Sequence, residues 1–235
     1  MAGLEGQTLW GMRAAPPKSQ REDNWGEITL GKIVGSGAFA DVYSVAGATR
    51  VPLLAKIFKG DYADKATTDK TILRALVGFS SNGKNLADAL PFASWPDRIL
   101  FAKRGKTIAE LQPALRGYTM PHFIDAKPYE HYRSGRGATF QMSKGDYIHL
   151  CITLAHQLDR LHKHPFQFVF SDLSSKNILI SNDRRKIYFS TPTATAFGPS
   201  AKKSMLSAPR WSRPRTQRPI CGERSMPATT TLYWP

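Results

Sequence analysis

Two glycines lie between segments rich in β-forming residues, in a motif that reads Gly35, Ser36, Gly37, Ala38 and Phe39. Because glycine has no side chain, a hairpin of this kind lets backbone amides approach phosphate oxygens closely, at dihedral angles that other residues avoid. The alternative interpretation is a plain turn. A dinucleotide-binding turn is not favoured, because strand-forming residues rather than a helix follow the glycines.

Lys56 stands 19 residues after Gly37, within the apolar run LLAKIF. A lysine flanked by apolar residues on an inner strand is costly unless its charge meets an anion. This position therefore predicts a contact with phosphate. On an edge strand, the same lysine would instead extend its ammonium group into solvent.

An acid and an amide, Asp172 and Asn177, are five residues apart in the run DLSSKN. In phosphoryl transfer, a carboxylate can orient the acceptor hydroxyl while a carboxamide helps to hold a metal ion. Both residue types are also common in ordinary loops. The run DLSSKN is therefore a candidate catalytic loop, and the elements around it decide between the two interpretations.

The elements that position these residues can be read from hydrophobic periodicity. Three β-rich segments separated by glycine turns, between residues 28 and 59, predict an antiparallel meander. A helical stretch over 63–79 follows, and then two more strand-like runs at 97–103 and 115–121. A second long helix, over 144–164, has apolar residues at helical intervals: Ile148, Cys151, Ile152, Ala155, Leu158 and Leu161.

In this order and at this spacing, the glycine motif, the strand lysine, the long helix and the Asp-x4-Asn loop resemble the protein kinases over residues 27–189. Phe170, Ser171 and Asp172, together with Met120 and Pro121, are similar to a compact bacterial branch of kinase-like proteins. The resemblance implies an α+β fold. We expect a five-stranded antiparallel N-lobe sheet, the start of a helical C-lobe, and an irregular tail.

The resemblance also implies ATP and Mg²⁺ as cofactors and a protein Ser or Thr hydroxyl as acceptor. The implied roles fall on matching positions: phosphate cover by Gly35, Ser36, Gly37, Ala38 and Phe39; phosphate contact by Lys56; adenine binding by the backbone around Met120 and His122; catalysis by Asp172; and metal binding by Asn177. No Glu occurs between Glu27 and Glu110, so Asp69 is the expected partner of Lys56 on the following helix.

Three positions depart from the pattern of the family. Ala40 replaces the third loop glycine, and Ser174 replaces the lysine that usually follows the catalytic Asp by two residues. Ser190 stands where a metal-binding Asp is expected, and without that carboxylate Mg²⁺ loses its main protein ligand. We therefore expect little or no phosphoryl transfer. An inactive nucleotide-binding or scaffolding pseudokinase is the alternative function.

Composition sets the remaining expectations. The chain of 235 residues carries a net charge of +15, and residues 190–235 hold seven basic residues, one acid and seven of the 16 prolines. Such a segment does not bury a core. We expect a flexible leader over 1–24, an N-lobe over 25–120, a partial C-lobe over 121–189 and a disordered basic tail over 190–235.

The two cysteines and the missing apolar span predict a cytoplasmic protein that does not enter a membrane. The identity of a protein substrate is not encoded in these motifs. Nucleic-acid binding through the basic tail is a less favoured alternative, supported only by charge.

The tail also has a coding property. Read one base out of frame, the codons of 190–197 can encode Asp-Pro-Asp-Gly-Tyr-Gly-Phe, which restores an acid directly after the last strand. Family-like segments can be encoded in the same offset at 207–210 and 225–235. This pattern predicts a frameshift and a truncated domain, against the alternative of a natural basic tail. Sequencing the gene through and beyond codon 235 tests it.

Overall fold

The computed structural model describes residues 3–13, 24–47, 51–133, 142–164 and 173–190. Six antiparallel strands close into a barrel in the order β1-β2-β3-β4-β6-β5. Their bounds are β1 (Thr8–Met12), β2 (Trp25–Ser36), β3 (Ala40–Ala46), β4 (Leu53–Phe58), β5 (Arg98–Phe101) and β6 (Leu115–Pro121). Alternate side chains of these strands fill the inner face: Leu9, Ile28, Leu30, Tyr43, Ala55, Ile57 and Leu100.

The first strand corrects the expectation of a five-stranded sheet. β1 lies inside the segment 1–24 for which the sequence predicts a flexible leader, and it pairs with both β2 and β5. Leu9 is only 2% exposed, because it points into the inner cluster of the barrel. The added strand closes the sheet and leaves neither β2 nor β5 as an open edge.

The helical stretch expected over 63–79 is divided into α1 (Gly60–Thr68) and α2 (Lys70–Ala89). Asp69 separates them with an extended backbone, and its carboxylate accepts a hydrogen bond from the N–H of Thr71 at 2.9 Å. The second of the two helices, α2, has an apolar face. It packs on the outer side of the barrel through Ile72, Leu73 and Leu76.

The long helix expected over 144–164 is α5 (Lys144–Lys163), which follows the short helices α3 (Ile108–Leu111) and α4 (Tyr129–Arg133). A capping box formed by Ser143 and Asp146 begins α5. Its predicted apolar face is only partly correct. Leu161 is buried and Leu158 packs against the same cluster, as predicted. Ile148 and Ile152 are instead 59% and 53% exposed, because the packed side of the helix continues through Leu154 and the buried Leu150.

A three-stranded sheet follows the barrel. It consists of β7 (Ala126–Pro128), β8 (Ile178–Ser181) and β9 (Ile187–Phe189), all antiparallel. β9 is tied to the segment after α2, because the N–H of Phe189 donates to Phe92 O and the N–H of Ser94 donates to Phe189 O. A buried cluster surrounds this junction: Leu86, Leu90, Phe92, Ala93, Trp95, Leu161 and Phe189.

The predicted basic tail, apart from Ser190, lies outside the described residues. None of the helices in the described part of the chain is long and apolar enough to cross a membrane. α5 and β9 pack against α2 and the segment that follows it, through Leu161 and Phe189.

Candidate functional site

The glycine motif forms the turn between β2 and β3. Neither Gly35 nor Gly37 has a positive φ, so the expectation of unusual dihedral angles is not met. A Cβ on Gly35 would meet nothing within 4 Å, and one on Gly37 would meet only Ala40 O, at 3.5 Å. The glycines therefore leave open space over the hairpin, which is what close approach of a phosphate group requires.

Lys56 lies on β4, between Val42 of β3 and Tyr118 of β6 in the strand register. Its side chain is half-buried, and its ammonium nitrogen is 6.0 Å from the centre of the Tyr118 ring. Within the described part of the chain, Lys56 forms no ion pair. A half-buried ammonium beside an aromatic ring, with no ion pair among the described residues, is suited to an anionic ligand.

Asp69 does not pair with Lys56 in this structure. Its carboxylate caps α2 instead, and its negative charge adds to the raised pKa of Tyr62, for which burial is the main cause and Tyr118 the second. An Asp directly before a segment with helical apolar periodicity is a common signal for the start of a helix. That signal in the sequence could have identified the capping role.

Gly117 lets β6 lie unusually close to β4 at Lys56. A Cβ at Gly117 would lie 1.9 Å from the carbonyl oxygen of Lys56, so β6 approaches β4 more closely here than any side chain allows. Pairing of Gly117 with Ile57 and of Tyr118 with Lys56 keeps the two strands in register at this point. The strand-like run over 115–121 contains this glycine, but the sequence does not indicate its contact.

The segment at the end of β6 was expected to hold adenine through its backbone. Met120 is buried and pairs with Leu54 on β4. The N–H of His122 donates to Pro52 O at 2.9 Å, and its carbonyl accepts from the N–H of Ile124. Both backbone groups of His122 are therefore engaged within the protein. Burial of its side chain lowers the pKa of the imidazole.

Asn177 and Ser190 meet at the start of β8 and the end of β9. The Ser190 hydroxyl donates to Asn177 Oδ1 at 3.3 Å, and the Ser190 N–H donates to the Asn177 carbonyl at 2.9 Å. The structure thus brings together the predicted metal-binding amide and the serine that occupies the position of the expected acid. Asp172, the predicted catalytic residue, lies outside the described residues.

The donors at this point do not fit Mg²⁺. Asn177 and Ser190 offer a carboxamide and a hydroxyl oxygen, whereas Mg²⁺ is usually held through one or two carboxylates. Among the described residues, no group of three or more His, Cys, Asp or Glu side chains is arranged to hold a metal ion. No reaction step through a metal ion follows from these side chains.

Two charged residues beside the glycine hairpin were not selected from the sequence. Lys59 donates from Nζ to Asp41 Oδ1 at 2.8 Å and to Ser36 Oγ at 2.9 Å. Ser36 in turn donates to Asp41 Oδ1 at 2.6 Å. No local spacing rule predicts a contact between Asp41 on β3 and Lys59, which lies 18 residues later and directly after β4. The contact depends on the antiparallel pairing of β3 with β4.

No family model matches the chain, and no curated protein matches it by sequence. Solved structures do. A rhoptry kinase from Toxoplasma gondii matches with a TM-score of 0.52 and 13% identity, over 80% of this chain and 50% of its own. The kinase domain of maize sucrose-induced receptor kinase 1, bound to AMP-PNP, matches with a TM-score of 0.51 and 18% identity, over 70% of this chain and 51% of its own.

The kinase domain of Mycobacterium tuberculosis PknI matches with a TM-score of 0.42 and 14% identity, over 69% of this chain and 58% of its own. The chain therefore spans between 50% and 58% of the length of these three kinase domains. The likeness to the rhoptry and maize kinases shows that the described residues have a protein-kinase-like fold.

Proposed function

We propose that this chain is a protein-kinase-like domain that binds ATP in a cleft beneath the β2–β3 hairpin, beside Lys56. The observation that carries the proposal is Lys56, a half-buried ammonium group beside Tyr118 that forms no ion pair among the described residues. ATP offers the missing anion. The maize kinase domain, which shares this fold, was solved with the nucleotide AMP-PNP.

The chain's own residues support different parts of the nucleotide. The open space over Gly35 and Gly37 admits the phosphates to the hairpin backbone. Lys56 supplies the positive charge that binds the phosphates. Met120 is buried in the cluster on the outer face of the barrel, and the partly buried Val42 and Leu54 pack against that cluster. These three side chains give an apolar wall for the adenine ring.

Adenine recognition at His122 would need an exchange of hydrogen bonds. Its N–H would have to leave Pro52 O before it could bind a base. We therefore assign to His122 and Met120 a role in shaping the adenine pocket, with the apolar contact of the buried Met120 as its main element.

Two outcomes remain for the bound nucleotide. The first is phosphoryl transfer to a protein Ser or Thr, with Asp172 orienting the hydroxyl and Asn177 near the phosphates. The second is binding without transfer, as in a pseudokinase. The hydrogen bond from Ser190 to Asn177 favours the second, because a hydroxyl stands where a metal-binding carboxylate is needed. A cytoplasmic location and an unidentified protein partner belong to the same proposal.

Thermal unfolding with and without ATP tests the binding proposal. A ligand present at 100 times its Kd stabilises the folded state by about 2.7 kcal/mol. We expect ATP to raise the Tm of the wild type and Lys56→Ala to weaken ATP binding about 10- to 100-fold, because a charge-assisted contact with phosphate is lost. Lys32→Ala, which removes an exposed lysine from β2, is the matched control and should leave the ATP shift unchanged.

An equal ATP shift in the wild type and in Lys56→Ala would contradict the assignment of Lys56. Stabilisation by a short oligonucleotide but not by ATP would favour the nucleic-acid alternative. These two results are separable, because the first compares two variants with ATP and the second compares two ligands with the wild type.

Ser190→Asp separates transfer from simple binding. The new carboxylate lies beside Asn177, so we expect ATP binding to become Mg²⁺-dependent, tightening about tenfold on addition of the metal. Ser190→Asn is the control with similar shape and no charge, and it should show no such dependence. Robust Mg²⁺-dependent transfer by the wild type, abolished by Asp172→Asn, would overturn the preference for binding without transfer.

A further inference from the structure

The glycine hairpin is held by a cation from outside it. Lys59, the residue after β4, places Nζ 2.8 Å from Asp41 Oδ1 and 2.9 Å from Ser36 Oγ. Ser36 and Asp41 face each other across the two strands of the hairpin, because they are partners in the β2–β3 register. One ammonium group therefore binds both stems of the hairpin at the same level.

The tip of the hairpin is attached to the same segment. The backbone N–H of Lys59 donates to Phe39 O at 3.1 Å. The Phe39 ring lies 5.3 Å from the Tyr62 ring on α1, at a tilt of 52°, although Phe39 remains 63% exposed. The hairpin is thus connected to the corner between β4 and α1 by its stems through side chains and by its tip through backbone and ring contacts.

The charges at this contact are matched. Hydrogen bonds from Lys59 and then from Ser36 lower the pKa of the Asp41 carboxyl, so it is ionised at neutral pH. The side chains of Lys59 and Asp41 are 37% and 25% exposed, which leaves the pair accessible to solvent and to salt. A contact of this kind can hold a loop in place without making it rigid.

We propose that Lys59 and Asp41 form a latch that holds the glycine hairpin over the phosphates of the bound nucleotide and so sets nucleotide affinity. The inference rests on the proposed function, because it assigns the latch to the same cleft. Lys59 and Asp41 are positioning residues: neither touches the nucleotide, and both act through the position of Gly35 and Gly37.

The competing arrangement is direct contact of Lys59 with phosphate. The two arrangements predict opposite effects for Asp41→Asn. If Lys59 binds phosphate, removal of its carboxylate partner frees the ammonium group and tightens ATP binding. If the pair is a latch, Asp41→Asn loosens the hairpin and weakens ATP binding, as Lys59→Met does.

Calorimetric titration of the full chain with ATP and with adenosine tests the latch in Lys59→Met, Asp41→Asn and the double variant. We expect each single variant to weaken ATP binding about three- to tenfold and the double variant to be no weaker than either single one, because both remove one interaction. Adenosine affinity should stay unchanged, since the hairpin acts on the phosphates. Lys163→Met is the matched control: it removes an ion pair of the same 2.8 Å length, to Asp159 on α5.

Hydrogen exchange of amides 35–41 without nucleotide provides an independent readout. Both single variants should accelerate exchange in the hairpin and Lys163→Met should not. Unchanged exchange in both variants, or tighter ATP binding by Asp41→Asn, would overturn the latch. A wild type that binds no ATP would overturn the proposed function and with it the role of the latch in affinity, while the exchange data would still decide whether the pair holds the hairpin.

Discussion

At Gly117, the backbone of β6 lies against the carbonyl group of Lys56 with no space for a side chain. The position of the cleft lysine therefore depends on a residue that has no chemistry of its own. The same is true of Asp41 and Lys59, which affect the cleft by holding the hairpin above it. The close approach of β6 to β4 places Lys56, and the ion pair between Lys59 and Asp41 holds the hairpin.

Gly117→Ala should both destabilise the protein and weaken ATP binding. The added methyl group would meet backbone atoms, so β6 and β4 must separate at Lys56, at a cost of about 1–3 kcal/mol. Gly78→Ala on α2 is the matched control, because a Cβ there meets nothing within 4 Å, and it should stabilise the helix by about 0.5–1 kcal/mol. Urea unfolding and ATP titration of both variants measure the two effects. Equal stability of the two variants would contradict the close approach.

Short-range spacing selected some of these residues as candidates and not others. The glycine hairpin, Lys56 and Asn177 lie in motifs of a few residues, whose type and order are sufficient to mark them. The pairs Asp41–Lys59 and Asn177–Ser190 are formed by strands whose register the sequence does not state. The spacing of Asp69 suits either a partner of Lys56 or a helix cap, and the extended backbone before α2 places its carboxylate at the cap.

Among the elements, β1 has the largest effect on the architecture. It pairs with β2 over five residue pairs and with β5 over three, and thereby closes the barrel. Its five residues are separated from the next strand by a stretch rich in charge and proline, and its partner β5 begins at residue 98. A local pattern cannot predict a pairing over that separation, and the sequence therefore suggested a leader.

Leu9→Ala tests whether β1 is an integral part of the fold. The side chain is 2% exposed in the inner cluster, so its truncation should lower the free energy of unfolding by about 2–5 kcal/mol. Leu4→Ala is the control, because Leu4 is 37% exposed and its change should stay within about 0.5 kcal/mol. Urea denaturation followed by circular dichroism gives both values. A Leu9→Ala variant as stable as Leu4→Ala would show that β1 is not needed to hold the barrel.

For helix α5, only the tertiary structure shows which apolar residues pack. Helical periodicity placed Ile148 and Ile152 on one face with Leu158 and Leu161. Of these four, only Leu158 and Leu161 contact the cluster that includes β9 and the segment after α2, and Leu150 and Leu154 extend the packed side. The start of the helix was less ambiguous. Ser143 and Asp146 have the Ser-x-x-acid spacing of a capping box, and the structure contains it.

Asp146 makes the stability of this element pH-dependent. Its carboxyl pKa is lowered below the ordinary 3.8 by hydrogen bonds with Ser143 and then with Arg184. A lowered pKa in the folded state contributes stability that is fully present above 3.8 and is lost as the pH falls through the folded value. We expect Asp146→Asn to be less stable than the wild type at pH 7, with the difference disappearing in acid below pH 3.8. Asp64→Asn on the exposed side of α1 is the control. A difference between Asp146→Asn and wild type that is constant from pH 7 to pH 3 would contradict this role.

Across the whole molecule, one buried cluster joins the barrel side to the second sheet. Leu86 and Trp95 come from α2 and the segment after it, Leu161 from α5 and Phe189 from β9. The Arg160 guanidinium also stacks over the Phe92 ring at 5.1 Å. Asn177 and Ser190 stand next to this cluster, whereas Lys56 and the hairpin belong to the barrel. Packing in this cluster therefore holds the barrel half of the candidate site, with Lys56, next to the half with Asn177 and Ser190.

Phe189→Ala should uncouple these halves. Phe189 is fully buried, packs edge-on against Phe92 at 5.9 Å and exchanges backbone hydrogen bonds with the segment after α2. Truncation should cost about 3–5 kcal/mol, and α5 should lose its protection before the barrel strands do. Native-state hydrogen exchange measures this: in the wild type, the amides of α5 and β4 should open with similar free energies, and in the variant those of α5 should open first. Ile152→Ala, on the exposed stripe of the same helix, should change neither. If α5 and β4 still opened together in Phe189→Ala, the halves would be held by contacts other than this cluster, and the distance between Lys56 and Asn177 would not depend on it.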